Sequence, residues 1–328
     1  MSIDLPNMTL PYIHWAIKIL DDLGYCVDHP IPEKILETAW SHVCRFQTNR
    51  GFIYLKKVPQ ALSLEVNVIK LLKEQFQANV PHVLAHNRED HCFLMQDAGV
   101  SLHGFFKQGF KTQVFIDAIQ QYTALQFMAV NKINLFFSLG VPDWRLEKLP
   151  TLYQELIAEE QLLIEEGLTV DELKILQSLK KKLLSICDQL AQYKIPDTFG
   201  HGDFHDKNIL VNPYTHQTTL IDLGEVVITH PFFSFVDCLH RVTENLSLTA
   251  SQHRQLQEKS FKNWLSLESP SHLFEIIALI QQCWPIHAVL GEYRLLKSID
   301  PAASLQLRGK GRLAKKLKIW IGQSAVSK

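Results

Sequence analysis

The stretch from Phe199 to Glu225, FGHGDFHDKNILVNPYTHQTTLIDLGE, constrains this chain more than any other. It sets out His201-Gly202-Asp203, then Asn208 five residues after the aspartate, then Asp222-Leu223-Gly224 beyond a turn. A carboxylate, an amide and a second carboxylate in that order suit phosphoryl transfer from a nucleotide. An acceptor hydroxyl needs a carboxylate, Asp203, to orient it and take its proton. The phosphates need Mg²⁺, a hard cation that prefers oxygen ligands, here the Asn208 amide and the Asp222 carboxylate. Between them, Ile209-Leu210-Val211 and Thr219-Leu220-Ile221 are short apolar runs flanking Asn212-Pro213. They predict a hairpin that returns Asp222 beside Asn208. A hairpin that merely happens to carry acids is the bland alternative, but two spaced motifs in register on one hairpin rarely arise by chance.

The segments HGDFHDKN, LIDLGEV and His230-Pro231-Phe232-Phe233 resemble those of the aminoglycoside phosphotransferase/choline kinase family of small-molecule kinases. That family's usual loop is HGD-L-H-P-x-N, and its metal strand ends in I-D-W or I-D-F. Here Phe204, Asp206, Lys207 and Leu223 stand instead, and none of them removes a group the chemistry needs. Glu225 after the D-x-G fits the family, whereas Ser234 stands where an aspartate often follows. The resemblance covers roughly residues 31 to 300 and is specific in the central motifs. It implies an α+β, two-lobe protein-kinase-like fold, with a small antiparallel sheet plus one helix and a larger, mainly helical lobe. It also implies ATP and Mg²⁺ as cofactors and a small-molecule hydroxyl as acceptor of the γ-phosphate.

At 328 residues, 46% hydrophobic and 20% charged, the chain can bury one large core or two. A net charge of −1 creates no field that would favour nucleic acid or an acidic membrane, and neither partner is expected. The six cysteines are scattered without a C-x-x-C pair and read as buried thiols of a reducing compartment. MSIDLPNMTL lacks the pattern of a signal peptide, and no apolar run is expected to approach transmembrane length. A cytoplasmic protein is expected.

Along the chain, Ile13, Ile17 and Leu20 share one face of a helix predicted over 12–23, ending before Gly24. Val43, Arg45 and Gln47 alternate with Cys44 and Phe46 before Asn49-Arg50-Gly51 turns the chain, so 35–56 reads as two or three antiparallel strands. A helix from Leu62 to Phe76 with Leu64, Val68, Leu71 and Leu72 on its apolar side comes next, then strands at Val83-Leu84 and Cys92 to Met95. Residues 1–30 are expected to form a helical extension, 31–96 a nucleotide-binding lobe and 97–328 the helical lobe, with the hinge at Gln96 to Gly99. Helices are predicted around Tyr122, Leu125 and Met128, and over 152–167, 170–190, 233–246, 251–265 and 273–290. From Pro301 onward Arg308, Lys310, Arg312, Lys315, Lys316, Lys318 and Lys328 occur without an acid. Leu313, Leu317 and Trp320 lie at helical spacing there. They predict a terminal helix docked by its apolar face with its basic face solvated, in preference to a membrane or RNA contact.

The resemblance assigns roles outward from the loop. Lys56 ends the third strand, where a kinase keeps the lysine that grips the α/β-phosphates; Lys57 must then point to the opposite face, toward solvent. Glu65 in the next helix is the acid to pair with Lys56, with Glu74 as the other choice. No glycine occurs between Gly24 and Gly51, so the phosphate-covering turn over 37–43 is not Gly-rich, and Ser41 offers its hydroxyl and N–H there. Met95 and Asp97 at the hinge complete the nucleotide set. His201 is structural, while His205, Asp206 and Glu225 are assigned to the acceptor. The late helices add Trp284, Glu292 and Tyr293. Acids and aromatics together suit an amine-bearing alcohol, of the aminoglycoside or choline type, in a net acidic cleft.

Rival functions are a pseudokinase that binds nucleotide without transfer, and a protein kinase. The intact set Lys56, Asp203, Asn208 and Asp222 argues against the first. The second lacks its Ala-Pro-Glu element, since Ile228-Thr229-His230-Pro231 runs straight into a helix. A hydrolytic metal site on His201, Asp203 and His205 would leave Asn208 and the D-x-G unexplained.

Overall fold

The computed structural model describes residues 10–246, 248–299 and 310–325. Helix α1 (Pro11–Asp22) comes first, with Pro11 in the opening turn where its missing N–H costs nothing. Strands β1 (Glu33–Glu37), β2 (His42–Thr48) and β3 (Gly51–Lys57) follow, then α2 (Glu65–Phe76), β4 (Val83–Asn87) and β5 (Cys92–Gln96). The five strands make one antiparallel sheet in the order β1-β2-β3-β5-β4.

Side chains alternate across a strand, and that period divides the sheet into two faces. Cys44, Phe46, Ile53, Leu55, Cys92 and Leu94 pack with Tyr12, Ile13, Ala16, Ile17 and Leu20 of α1. The residues between them, Lys56 paired opposite Val43 and Phe93, belong to the other face, where α2 lies. Lys57 does turn away from Lys56, but its ammonium rests over the Tyr12 ring at 4.5 Å rather than in open solvent. Helix α2 starts later than its pattern suggested, at Glu65, because a short 3₁₀ turn occupies Gln60–Leu62. Val66, Val68, Ile69 and Leu72 are its buried side, and Leu64 and Leu71 are only partly covered.

After the sheet come β6 (Val100–Ser101), α3 (Leu102–Phe105), α4 (Thr112–Ala129), α5 (Ile133–Phe137), α6 (Leu149–Ala158) and α7 (Glu160–Glu165). Then follow α8 (Val170–Ser178), α9 (Lys180–Leu190), β7 (Thr198–Gly200), β8 (Ile209–Val211), β9 (Thr218–Leu220) and β10 (Val227–Thr229). The chain continues with α10 (Phe232–Leu246), α11 (Ala250–Ser260), α12 (Pro270–Lys297) and α13 (Arg312–Ala325). Two stretches expected as single helices are each two: the first breaks at Glu159, whose ψ of 51° leaves the helical region, and the second at Leu179. A Thr169–Glu172 capping box starts α8 by satisfying two otherwise unpaired N–H groups. On α4, Tyr122 and Leu125 are buried as their spacing requires, whereas Met128 is exposed.

Helix α12 runs through 28 residues and is long and apolar enough to cross a bilayer by length and composition, contrary to expectation. Yet 56% of its most apolar window is buried inside the chain, with Leu273, Ile276, Ile277 and Ile280 in the main core. Helix α13 lies against α12 and α8 and buries Leu313, Leu317 and Trp320 completely. Its basic face is not simply solvated: Arg312 pairs with Glu292 at 2.7 Å and Lys318 with Glu172 at 3.3 Å. Arg308 and Lys328 lie outside the described residues.

Emptying the Trp320 site removes one of the largest fully buried side chains. Trp320→Ala is expected to cost about 3–5 kcal/mol of unfolding free energy, and Lys318→Ala less than about 1 kcal/mol. Urea denaturation of both variants measures this. Equal, negligible losses would mean that α13 is a detachable arm.

Candidate active site

The β8–β9 hairpin pairs Ile209 with Leu220, and the Ile221 N–H donates to the Asn208 carbonyl at 3.0 Å. Asp222 therefore leaves the strand next to Asn208, as expected. Its φ is +61°, a left-handed conformation that non-glycine residues rarely adopt. There its carboxylate meets the Lys56 ammonium at 2.6 Å. Glu65 of α2 holds the same ammonium at 2.7 Å and also accepts the Leu223 N–H at 3.2 Å. One glutamate thus ties the lysine strand to the D-x-G. Glu74 is exposed at the far end of α2 and takes no part. Burial on its own would push the Lys56 pKa down, but the charges of Asp222 and Glu65 outweigh it and hold the ammonium above its ordinary value.

The His201–Asn208 loop is fixed from within the core. The His201 N–H is shared between the Tyr122 hydroxyl at 3.0 Å and the Ser234 hydroxyl at 3.1 Å. Its Nε2–H donates to the Ile221 carbonyl at 2.9 Å, so His201 is a buried clamp between loop and hairpin. Phe204 stacks on Tyr122 with ring centroids 4.0 Å apart. Gly202 has a φ of +83°, and a Cβ there would collide with the Glu225 carbonyl, so only glycine fits. Asn208 donates from Nδ2 to the Asp203 carbonyl at 2.9 Å and to its Oδ2 at 3.0 Å. That leaves the Asn208 Oδ1 as the amide's acceptor for a cation.

His205 and Asp206 are not where the acceptor was expected to meet them. The His205 Nε2–H donates to Asp203 Oδ2 at 3.2 Å, and Asp206 accepts from His103 Nδ1 at 2.9 Å. Both are buried and brace the loop from behind; neither lines the cavity in front of it. Sequence reasoning missed Arg241 on α10, which donates to Asp203 Oδ1 at 2.6 Å and lies 3.5 Å from Asp237. The signal was an acid and a base four residues apart, Asp237 and Arg241, on one face of a predicted helix. Burial would raise the Asp203 pKa, but the His205 hydrogen bond and the Arg241 charge outweigh it and hold the carboxylate far below its usual range. Asp237 is pushed up to about 6 by burial, with Arg241 opposing.

The turn between β1 and β2 is a tight loop. The Thr38 hydroxyl accepts from the N–H groups of Trp40 and Ser41 at 3.2 and 3.0 Å. The Ser41 N–H expected for a phosphate is therefore already engaged, while the Ser41 hydroxyl is buried without a partner among the described residues. The Trp40 indole N–H donates to the Leu295 carbonyl of α12 at 2.9 Å, latching the turn across the cleft. Met95 is half-buried against the core on β5, and the Asp97 carboxylate accepts the Gly99 N–H at 3.1 Å. Neither lines the cavity.

That cavity, about 250 Å³, has Lys56 and Asp222 at one end and Trp284 and Glu292 at the other; Tyr293 is instead bonded to Glu159. Six acids line it (Glu65, Asp203, Asp222, Glu225, Asp237 and Glu292) against four bases, Lys56, Arg241, Arg312 and Lys316. Burial first, then the charges of Asp203 and Asp222, drive the Glu225 pKa well above its ordinary value. Carboxylates crowded closely enough to raise one another's pKa fit a divalent cation between Asn208 and Asp222. Among the described residues no group of three or more His, Cys, Asp or Glu is placed to hold a metal. Mg²⁺ asks less of a protein, since one or two carboxylates with substrate phosphates and water complete its shell.

An aspartate loop, an amide–carboxylate pair and a glutamate-held lysine, set between a five-stranded sheet and a helical lobe, define a small-molecule kinase with a two-lobe, protein-kinase-like α+β fold. The model of the phosphotransferase enzyme family, APH, matches residues 34–268, and the chain belongs to that family. No curated protein matches the chain in sequence. Among solved structures, the GDP and kanamycin complex of APH(2")-IIia superposes with a TM-score of 0.61 at 15% identity, covering 96% of this chain and 100% of that one. A macrolide 2'-phosphotransferase type I gives 0.59 at 11% identity, covering 98% and 99%. Plasmodium vivax ethanolamine kinase gives 0.58 at 13% identity, covering 91% and 90%. At such identities the likeness is one of fold.

Removing one member of a buried ion pair leaves an uncompensated charge. Glu65→Ala should therefore cost about 3–5 kcal/mol of stability, while exposed Glu74→Ala stays within about 0.5 kcal/mol. Denaturant titration of the two variants checks this, and equal effects would mean that Glu65 does not anchor Lys56.

Proposed function

We propose that the protein is an ATP- and Mg²⁺-dependent phosphotransferase that moves the γ-phosphate to a hydroxyl of a small molecule. The observation that carries this reading is that Asp203, held by the Asn208 amide, shares one cavity with Asp222 and Lys56. Lys56 takes the α/β-phosphates, its position set by Glu65. Asn208 and Asp222 would hold Mg²⁺, which supplies charge neutralisation to the phosphates. Asp203 orients the acceptor hydroxyl in line with the γ-phosphorus and takes its proton. The Ser41 hydroxyl, which has no partner among the described residues, is a donor available to a phosphate oxygen. Solved neighbours named as complexes with ADP and streptomycin, or with AMP-PNP and Ca²⁺, support a nucleotide with a divalent cation. The six free cysteines, five of them buried, support the cytoplasm as its location.

An amine-bearing alcohol is the second reading for the acceptor. The excess of acids in the cavity favours it, as do neighbours named as kanamycin and gentamicin complexes. Against it, Glu292, one of the acids expected to meet the amine, is already paired with Arg312, and Asp206 lies behind the loop.

Two measurements test the transfer reading. Lys56→Ala and Asp222→Ala should each strongly weaken Mg²⁺-dependent ATP binding; ATP binding that needs no Mg²⁺ and ignores both changes would refute the assignment. Asp203→Asn should lower turnover by about 10²–10⁴-fold with ATP affinity nearly unchanged. Equal losses of turnover and affinity would instead make Asp203 a structural or metal residue.

A further inference from the structure

Beyond Asp203 the cavity continues into a recess of about 360 Å³ lined from α10, α12 and α13. Its charge is the reverse of the inner end. Arg241, Arg312, Lys315 and Lys316 line it against only two acids, Asp237 and Glu292. Both acids have a basic partner, Glu292 with Arg312 at 2.7 Å through Oε1 and Asp237 with Arg241 at 3.5 Å, while the Glu292 Oε2 is buried without a hydrogen-bond partner among the described residues. Two cations are left over among the described residues, and of these Lys315 is exposed whereas Lys316 is half-buried. Among the described residues its ammonium makes no hydrogen bond or ion pair; its neighbour is the face of Trp284, 5.4 Å from the ring centroid. Burial pulls its pKa down, and the more distant Glu292 and Asp237 only partly oppose this. A cation drawn partly out of water without a bonded counter-charge is costly unless a ligand brings the anion.

A second observation points the same way. Both oxygens of Asp203 are engaged: Oδ1 is held by Arg241 at 2.6 Å, and Oδ2 by Asn208 and His205 at 3.0 and 3.2 Å. His205 and Asn208 are buried in the loop, whereas the Arg241 side chain is 41% exposed at the mouth of the recess. Arg241 is therefore the group that can give way when a hydroxyl arrives, and an anion in the recess would compete for it.

Resting on the phosphotransferase reading, we propose that the acceptor is an anionic alcohol whose carboxylate or phosphate docks on Lys316 and Arg241, drawing Arg241 off Asp203. The freed Oδ1 then faces the acceptor hydroxyl. The acceptor oxygen forms the new bond to the γ-phosphorus as the bond from that phosphorus to the β–γ bridging oxygen breaks. The hydroxyl proton passes to Asp203, and the electron pair leaves with ADP.

The test uses the full chain loaded with Mg²⁺ and AMP-PNP, titrated calorimetrically with four probes on one three-carbon frame: glycerate, glycerol 3-phosphate, glycerol and 3-amino-1,2-propanediol. One of the two anions should bind about 10-fold or more tighter than glycerol, and which one tells carboxylate from phosphate. The amine should bind no better than glycerol. Lys316→Ala should erase the anion preference, Lys316→Arg should retain most of it, and Lys318→Ala, outside the recess, should not alter it. Thermal melts of each variant separate lost binding from lost folding. Anions that bind no tighter than glycerol, or an amine that binds tightest, overturn the proposal. It is also overturned if Lys316→Ala weakens AMP-PNP as much as it weakens the anion, since the lysine would then serve the transferred phosphate. Failure of Mg²⁺-AMP-PNP to bind the native chain is a different result, and refutes the phosphotransferase reading itself.

Discussion

The structure depends on one buried ammonium. Lys56 stands 5% exposed between Glu65 and Asp222, and these three side chains come from the sheet, from α2 and from the strand end that leaves the central hairpin. Desolvating an ammonium costs several kcal/mol, and a single carboxylate often fails to repay that in full. Two carboxylates at 2.6 and 2.7 Å can, and Glu65 adds the Leu223 N–H as a third contact. The ion pair thus fixes the relation between the sheet and the helical lobe at the point where phosphates must lie. A nucleotide phosphate entering there would find the lysine already oriented, with no rotamer entropy left to lose.

Asp203 illustrates the opposite use of charge. A general base works best with a pKa near the working pH. Arg241 and His205 instead hold this carboxylate far below its usual range, against burial. In that state it accepts a proton poorly, and its Oδ1 is occupied by Arg241. That suits a reaction in which positioning and charge neutralisation do most of the work and the proton moves late. The surrounding loop is built for rigidity to match, with His201 clamped on three hydrogen bonds, Asp206 held by His103, and Phe204 stacked on Tyr122.

The cavity as a whole is polarised. Acids gather where Lys56 and a divalent cation would sit, and bases gather on α10 and α13, where the acceptor would enter. The Trp40 latch onto Leu295 and the stacking of Arg312 over the Trp40 ring at 5.2 Å join the two ends. The tail helix, which reads as a terminal appendage, is in fact one wall of the site.

Local chemistry was legible in the chain. The hairpin, the loop, Lys56, Glu65, Asn208 and Asp222 were found because each is set by short-range spacing: period two in strands, a turn at Asn212-Pro213, five residues from Asp203 to Asn208. The α1 and α13 faces were legible for the same reason, since 3.6-residue periodicity marks a buried stripe. What spacing could not carry was which polar side chains would turn inward to meet groups distant in sequence. His205 and Asp206 sit beside Asp203 in the chain yet are buried behind the loop. Arg241, 38 residues beyond Asp203, reaches it directly. Arg312 and Lys316 read as a solvated basic face and became part of the cavity wall. Helix breaks at Glu159 and Leu179 likewise escaped notice, because the apolar period continues through them while the backbone does not. The sequence alone determined which residues the hairpin and loop bring together, through local geometry. Only tertiary packing decided their charge environment, because electrostatics acts through space between elements that the chain keeps far apart.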